Sequence, residues 1–233
     1  MAADEAIVLV GGLGTRLRGI VDDVPKPLAP VAGRPFLAWV LDALSAGGLR
    51  RVILAAGHMA DVVERTIGKR WNDMDVVVVV EPEALGTGGA VRFAARALLG
   101  DATHVVNGDT FLRYDPRALE AATRALDASM GIALAHVPDV ARYGAVDVRD
   151  GRVVAFHEKG GQGPGRINAG CYFLGPDALA ALPDKAVFSF ERDVLPVLAA
   201  RGAIAAFDDT RDFIDIGVPD DFARAQQWFA HAP

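Results

Sequence analysis

The stretch AIVLVGGLGTRLRGIVDDVPKPLAP, residues 6–30, decides how this chain folds and what it binds. Its first five residues, Ala6 to Val10, form an apolar run of strand length. Three glycines follow this run: Gly11, Gly12 and Gly14. Glycines directly after a buried strand leave backbone N–H groups uncovered, and such a nest binds phosphate oxygens. Because Arg16 and Lys26 add positive charge, the stretch predicts a polyphosphate site.

Two well-known phosphate-binding loops do not fit this stretch. A P-loop requires Gly-Lys-Ser/Thr at its end, and no lysine follows these glycines. The dinucleotide fingerprint G-x-G-x-x-G has Leu17 at its third glycine position. The next apolar run also ends in Gly57-His58, where a dinucleotide site would carry an acidic residue for the ribose.

Apolar runs of strand length alternate with amphipathic segments of helix length in the first half of the chain. The predicted strands are 6–10, 51–56, 75–80 and 103–107, and the predicted helices are 35–46, 59–67 and 88–99. This alternation predicts right-handed crossovers and a mostly parallel sheet. Five consecutive valines, 76–80, are typical of a central strand buried on both faces.

The second half carries more closely spaced strands. Asp115-Pro116 predicts a capped helix that runs to about Ala128. Strands are predicted at 131–137, 144–149, 152–157, 167–174, 203–207 and 213–216, and helices at 176–182, 191–200 and 219–231. Asp150-Gly151 predicts a tight hairpin turn. Since no linker or repeat divides the chain, we expect a single domain with a nucleotide half (about 1–110) and a sugar-phosphate half (about 111–233).

Composition and charge exclude several classes of protein. The net charge is −6 and no Lys/Arg run occurs, which argues against a nucleic-acid surface. The single cysteine, Cys171, lies in an apolar run and is expected to be a buried thiol in a reducing cytoplasm. The apolar runs are too short to span a membrane, and Asp4 and Glu5 stand where a signal peptide would carry positive charge. These features predict a cytoplasmic protein.

The motif GGLGTRL followed by PKP resembles the sugar-1-phosphate nucleotidyltransferases. This resemblance implies a Rossmann-like α/β fold of the nucleotide-diphospho-sugar transferase type, a three-layer sandwich around a mixed, mostly parallel sheet. It also implies that a nucleoside triphosphate and a sugar 1-phosphate react to give a nucleotide sugar and pyrophosphate. Further motifs extend it over nearly the whole chain: LGTGGA, NGDTF, EKG, INAG and FIDIGVP. They are most similar to members that transfer GMP from GTP to D-glycero-α-D-manno-heptose 1-phosphate.

Two aspartates are the candidate metal ligands. Asp109 follows the predicted strand 103–107, and ligands bind beyond the carboxyl ends of strands in open α/β sheets. Asp215 lies within a short apolar strand, where an unpaired carboxylate is costly. The resemblance implies that both hold Mg²⁺, with Mn²⁺ as a substitute. It also implies that Arg16 and Lys26 stabilise the departing pyrophosphate and that Lys159 holds the attacking phosphate.

Glu81 is the candidate base-reading residue. Guanine presents two adjacent donors that one carboxylate accepts together, whereas uracil and thymine present a donor beside an acceptor. The glycines of LGTGG are expected to let the backbone approach a flat base, and Thr87 is expected to cap the next helix. The full set of predicted nucleotide-binding residues is Val10, Gly11, Gly12, Gly14, Thr15, Arg16, Glu81, Gly86, Thr87, Asn107 and Gly108.

The resemblance also implies a sugar-phosphate site in the second half. Its predicted residues are Tyr143, Gly144, Glu158, Lys159, Asn168, Ala169 and Glu191. Gly144 is expected to let the ligand lie against the backbone, and Glu191 is as consistent with a carboxylate at a helix start. Many hexose-specific members have a proline directly after the lysine, whereas this chain has Gly160 and Gly161, a departure that bears on the shape of the sugar pocket.

Other functions stay open at the level of the sequence. Mannose 1-phosphate or another hexose 1-phosphate is an alternative acceptor, and a non-catalytic nucleotide-sugar sensor is a more distant alternative. Neither nucleic acid nor a membrane is an expected partner, and the oligomeric state, monomer or homodimer, is left open. The serines and the five histidines show no spacing typical of a catalytic triad or a metal site.

Overall fold

A computed structural model describes residues 2–11 and 24–231. The strands are β1 (Glu5–Leu9), β2 (Pro30–Val31), β3 (Arg34–Pro35), β4 (Arg51–Ala56), β5 (Arg70–Trp71), β6 (Met74–Val80), β7 (Thr103–Asn107), β8 (Thr110–Arg113), β9 (Met130–Val137), β10 (Val146–Arg149), β11 (Arg152–Phe156), β12 (Gly165–Leu174), β13 (Ile204–Phe207) and β14 (Arg211–Asp215). The α-helices are α1 (Phe36–Ala46), α2 (Ala60–Ile67), α3 (Gly86–Ala94), α4 (Pro116–Ala125), α5 (Pro176–Ala180), α6 (Leu195–Ala200) and α7 (Pro219–Ala230). A π-helical turn, Phe190–Val194, leads directly into α6.

One ten-stranded sheet crosses the whole molecule in the order β10-β11-β13-β9-β12-β7-β1-β4-β6-β5. Strands β7, β1, β4 and β6 pair in parallel, as the alternation of strands and helices predicts. Strand β12 then pairs antiparallel with both β7 and β9 and so joins the two halves of the chain. The predicted mixed α/β sheet is therefore confirmed: four neighbouring parallel strands come from the first half, and β13 and β9 form a further parallel pair in the second half.

Helices cover both faces of the sheet, which gives the predicted three layers. On one face the core contains Phe36 and Leu37 of α1 together with Phe229 of α7. On the other face it contains Val91 of α3 and Leu195 of α6. None of the helices in the described part of the chain is long and apolar enough to cross a membrane.

The placement predicted for the valine run is wrong. Strand β6 lies next to the edge, and among the described residues its neighbour beyond β4 is the two-residue strand β5, which pairs with Met74 and Asp75. Val76 is buried, but Val80 is 56% exposed. An unalternating apolar run indicates a strand with two covered faces, but it carries no information about whether both edges are paired.

Local signals predict the β10–β11 turn and the cap of α4 correctly. Asp150 and Gly151 both have positive φ at the β10–β11 hairpin, as a primed turn requires. The Asp115 side chain accepts a hydrogen bond from the Arg117 N–H and caps α4, which ends at Ala125. The sequence did not predict the β8–β14 ribbon, a pair of antiparallel strands outside the main sheet.

Candidate active site

The β8–β14 ribbon brings the two predicted metal ligands together. Asp109 lies in the turn between β7 and β8, and Asp215 is the last residue of β14. Because Thr110 pairs with Asp215 in the ribbon, the two carboxylates meet at the carboxyl end of β7. The Ile216 N–H also donates to the Asp109 carbonyl at 3.1 Å and fixes the two segments to each other.

Lys26 lies between these two carboxylates. Its ammonium is 2.6 Å from Asp109 Oδ2 and 3.8 Å from Asp215 Oδ1. Burial and then the neighbouring Asp109 carboxylate raise the pKa of Asp215, while Lys26 opposes that rise. The Gly217 N–H donates to Asp215 Oδ1 at 2.7 Å and holds the carboxylate in place. The site thus concentrates two negative charges and binds a cationic group where they meet.

These two carboxylates fit a hard divalent cation. Mg²⁺ is bound by one or two carboxylates together with substrate phosphates, rather than by a complete cage of protein ligands. Among residues 2–11 and 24–231, no group of three or more His, Cys, Asp or Glu side chains could hold a metal ion. The donor set is therefore of the kind that a substrate phosphate completes.

A separate cleft of about 530 Å³ lies at the ends of β1, β4 and β6. Its lining includes Leu9, Gly11, Gly57, His58, Glu81, Gly86 and Thr87. The Glu81 side chain is partly buried there, and this burial raises its pKa. The Leu85 N–H donates to Glu81 Oε2 at 3.2 Å. This hydrogen bond from the loop after β6 orients the Glu81 carboxylate.

The described part of the glycine-rich stretch differs from the predicted phosphate nest. The Val10 and Gly11 N–H groups both donate to the Ala55 carbonyl, at 2.9 and 3.0 Å, so these two are not uncovered donors. A Cβ at Gly11 would lie 2.9 Å from Glu81 Oε1, so a larger residue here would shift the Glu81 carboxylate. The remaining predicted residues of the nest fall outside the described residues: Gly12, Gly14, Thr15 and Arg16.

The glycines of LGTGG pack against protein as well as lining the cleft. A Cβ at Gly88 would come within 2.3 Å of the Phe188 ring, and one at Gly89 within 2.3 Å of the Ala186 carbonyl oxygen. These two glycines therefore admit segment 186–190 from the second half, and their expected approach to a flat base stays a prediction. Only Gly86 of the three lines the cleft. The expected cap is also wrong, because the helix N-cap is Leu85 and Thr87 lies in the first turn.

Asn107 and Gly108 pack the end of β7 against its neighbours. A Cβ at Gly108 would lie 2.7 Å from the Leu9 carbonyl oxygen, which accepts a hydrogen bond from the Gly108 N–H. The Asn107 side chain lies against Gly170, where φ is +70° and a Cβ would approach Asn107 Nδ2 to 2.4 Å. Both residues thus hold the strand ends that carry Asp109.

The predicted sugar-phosphate residues are spread over three segments. Tyr143 is half-buried, and its ring meets Phe213 edge to face with a centroid distance of 5.4 Å. A Cβ at Gly144 would lie 2.3 Å from the His157 carbonyl oxygen, so this glycine contacts protein where a ligand was expected. Glu158 and Lys159 are exposed, and neither forms an ion pair with another described residue.

Strand β12 carries the other predicted sugar residues at a β-bulge between Asn168 and Cys171. Asn168 Nδ2 donates to the Tyr172 hydroxyl at 2.8 Å, and Asn168 Oδ1 accepts from the Gly170 N–H at 2.9 Å. Ala169 is buried. The Glu191 carboxylate accepts hydrogen bonds from Thr87 and Ser189.

Sequence reasoning did not assign His58 to the cleft or Phe188 to the packing beside it. His58 lines it, and its position directly after β4 was a usable signal, because ligand crevices follow the carboxyl ends of parallel strands. Phe188 shapes the neighbouring helix through contacts across a long sequence separation, for which no local signal exists.

The chain is similar to known proteins over nearly its full length. The profile of the Nucleotidyl transferase family matches residues 5–231. A D-glycero-alpha-D-manno-heptose 1-phosphate guanylyltransferase of Aneurinibacillus thermoaerophilus is 37% identical over 97% of this chain and 99% of that enzyme. A mannose-1-phosphate guanylyltransferase of Mycobacterium tuberculosis is 37% identical over 94% of this chain and 63% of that enzyme. The crystal structure of HddC from Yersinia pseudotuberculosis complexed with GMP-PN has a TM-score of 0.85 and 36% identity, covering 97% of this chain and 99% of that one.

Proposed function

Because this chain belongs to the Nucleotidyl transferase family, we propose that it transfers GMP from GTP to D-glycero-α-D-manno-heptose 1-phosphate, releasing pyrophosphate. The observation that carries the proposal is the cluster of Lys26, Asp109 and Asp215 at the carboxyl edge of the sheet. This cluster matches the charge neutralisation that phosphoryl and nucleotidyl transfer require. The relatives named for heptose 1-phosphate guanylyl transfer support the choice of substrates.

In this proposal the cleft beside β6 receives the base. Glu81 accepts the two adjacent N–H donors of guanine, a pairing that uracil and thymine do not offer. The HddC complex with GMP-PN supports a guanine nucleotide as the donor. Because burial raises the pKa of Glu81, protonation would weaken this recognition at a higher pH than for an ordinary glutamate.

Asp109 and Asp215 would hold the divalent cation, Mg²⁺ or Mn²⁺. When bound, it would neutralise charge on the phosphates that both reactants bring to the site. Lys26 would lie close to the same phosphates, because its ammonium is next to the carboxylate of Asp109. Arg16, outside the described residues, would add a second positive charge on the departing pyrophosphate.

Little covalent work is left to the protein. A phosphate oxygen of the sugar 1-phosphate attacks the α-phosphorus of GTP, the new O–P bond forms, and the bond to the bridging oxygen of pyrophosphate breaks. The attacking oxygen is already ionised near neutral pH, so no general base is required. Lys159, exposed and without an ion pair to another described residue, would hold the sugar phosphate for this attack.

The loop after Lys159 has a backbone that differs from one with a proline directly after the lysine. Gly160 and Gly163 have φ values of +105° and +84°, and the loop is held by hydrogen bonds to Val140 and Ala141. A proline cannot adopt a positive φ, so the hexose-type sequence would not form this loop. Mannose 1-phosphate is the second candidate acceptor, because a mannose-1-phosphate guanylyltransferase is equally identical to this chain. In this proposal the product is GDP-heptose, which is made in the cytoplasm for surface polysaccharide synthesis.

Pyrophosphate release tests the proposal directly. The purified protein with Mg²⁺ is given GTP, UTP or dTTP in combination with heptose 1-phosphate or mannose 1-phosphate. Release with GTP and the heptose alone is the expected result. Release with GTP and mannose would correct the acceptor, and release with UTP or dTTP would contradict the role of Glu81. Nucleotide binding without turnover for any pair would favour a nucleotide-sugar sensor.

A further inference from the structure

Thr87 and Glu191 join the base cleft to the second half of the chain. Thr87 Oγ1 donates to Glu191 Oε2 at 2.6 Å and accepts from the Phe190 N–H at 2.9 Å. Ser189 Oγ donates to the same Glu191 oxygen at 3.0 Å. The Thr87 hydroxyl therefore has a donor and an acceptor partner on the segment that leads into α6, although Thr87 itself lines the base cleft.

The backbone reinforces this connection. The Phe188 carbonyl accepts hydrogen bonds from the Gly88 and Gly89 N–H groups, at 3.0 and 3.3 Å, and the Phe188 N–H donates to the Leu85 carbonyl. Two of the first-turn N–H groups of α3 are thus satisfied by a segment from the other half of the chain. These hydrogen bonds tie the first turn of α3, which begins beside the cleft, to segment 186–190.

The connection continues to the predicted sugar residues through Phe190, which directly precedes Glu191 and whose N–H donates to Thr87. Burial, followed by the nearby Glu191 carboxylate, raises the pKa of Tyr172 well above its ordinary value. The Tyr172 hydroxyl accepts from Asn168 Nδ2 at 2.8 Å, and the Tyr172 ring packs on Phe190 with a centroid distance of 5.1 Å. Polar and packing contacts therefore run from Thr87, which is hydrogen-bonded to Glu191 and Phe190, through the Phe190 ring to Tyr172 and Asn168.

We propose that Thr87 and Glu191 are a positioning pair that couples occupation of the base cleft to binding of the sugar 1-phosphate. Glu191 then orients the site without contacting the sugar, since its carboxylate accepts the Thr87 and Ser189 hydroxyls. Short charge-assisted hydrogen bonds of this kind are strong and directional, which suits them to fixing one helix against another. This inference rests on the proposed function for the identity of the two ligands.

The test is the coupling between the two ligands. The dissociation constant of heptose 1-phosphate is measured by calorimetry with and without a saturating non-reacting GTP analogue and Mg²⁺. In the wild type we expect the analogue to tighten sugar phosphate binding about 5-fold or more. Thr87→Val, which removes the hydroxyl and keeps the shape, is expected to bring this ratio close to one. Thr87→Ser, the matched control, keeps the hydroxyl and should retain the ratio.

A double-mutant cycle tests the pairing itself. If Thr87 acts through Glu191, adding Glu191→Gln to Thr87→Val should change the coupling ratio no further. Should Thr87→Val not fold, Glu191→Gln alone serves, because a neutral acceptor weakens the bond and should lower the ratio at least twofold. An unchanged ratio in folded Thr87→Val or Glu191→Gln protein, or a wild-type ratio of one, would overturn the inference.

A separate measurement distinguishes failure of the proposed function from failure of the coupling. Pyrophosphate release by the wild type is measured first and does not depend on the coupling ratio. If release occurs with mannose 1-phosphate and not with the heptose, mannose 1-phosphate replaces it as the titrated ligand. If no sugar phosphate binds at all, the proposed function and the coupling are both wrong.

Discussion

At the scale of single residues, charge determines what the carboxyl edge of the sheet can bind. Asp109, Asp215 and Lys26 carry a combined charge of −1 when all are ionised, and all three lie within one cluster. The raised pKa of Asp215 shows that folding places this carboxylate where its ionised form is disfavoured. Such an arrangement is typical of a functional site, because a carboxylate that destabilises the fold when ionised is available to bind a cation.

Asp109→Asn should lower kcat by at least about 100-fold, because the amide cannot neutralise or bind a cation as a carboxylate does. The fold should be retained, since the Asp109 side chain is 35% exposed. Asp212→Asn is the matched control, because Asp212 lies on the same ribbon and pairs with Arg113. Turnover measures kcat, and far-UV circular dichroism shows whether the fold is retained. A fully active Asp109→Asn protein would refute the role of Asp109 in cation binding.

Glu81→Gln should reduce the preference for GTP over UTP and dTTP by about tenfold, because an amide offers guanine one acceptor where the carboxylate offers two. The ratio of kcat/KM values for the three nucleotides measures this preference. Glu83→Gln serves as the control, since Glu83 is exposed on the rim of the same cleft. Equal preferences in the two variants would mean that the base is read by other groups.

Asp215→Asn should raise the melting temperature at neutral pH while removing activity. The folded pKa of Asp215 lies above its unfolded value, so the folded state binds more protons in the window between the two. The free energy of unfolding therefore increases as the pH falls through that window. Above the folded pKa, the ionised Asp215 carboxylate lowers the free energy of unfolding by its full amount. Asparagine removes this destabilisation, and we expect a rise of about 2 °C.

Calorimetric melts at several pH values check this prediction. The difference between wild type and Asp215→Asn should be largest near neutral pH and should shrink as the pH approaches the ordinary range of an aspartate. A variant that melts below the wild type at neutral pH would contradict it.

At the scale of secondary structure elements, glycine has a packing role in α3. The first turn of this helix lies under segment 186–190, and the space between them admits no Cβ at Gly88 or Gly89. In the sequence alone, the same glycines are typical of a backbone that a ligand approaches closely. Their packing role is visible only when the segment that fills the space is known.

Gly88→Ala should destabilise the protein by about 1–3 kcal/mol, because a Cβ there overlaps the Phe188 ring and forces the segment away. Gly57→Ala is the control, since no atom lies within 4 Å of a Cβ at that position. Denaturant unfolding of both variants measures the difference. Equal midpoints for the two variants would show that segment 186–190 adapts without cost.

At the scale of the whole molecule, one sheet carries both halves of the site. Strand β12 lies between β7, which leads to Asp109, and β9, so the predicted nucleotide and sugar halves share a continuous hydrogen-bonded layer. Cys171 lies in this strand and is fully enclosed by the core. Burial raises the pKa of its thiol to about 12, as expected for an unreactive structural cysteine.

Cys171 should therefore resist labelling by a disulfide reagent in the native protein at neutral pH and react fully in guanidinium chloride. Counting thiols by absorbance in both conditions measures this. Because the thiol lies on the strand that joins the halves, slow native labelling would report global unfolding. Rapid labelling under native conditions would mean that β12 opens locally.

Because hydrophobic periodicity and turn chemistry are local properties, they predicted from the sequence alone the order and type of the α-helices and of every strand except β2, β3, β5 and β8. The sequence also determined that Lys26, Asp109 and Asp215 carry charge in strand-end or loop contexts that favour a ligand. Three features became apparent only in the tertiary structure: the ribbon brings Asp109 and Asp215 together beside Lys26, β6 lies near an edge, and Glu191 accepts from Thr87. Each of these depends on contacts between segments far apart in the chain, and local preferences cannot specify which distant partner fills a given space.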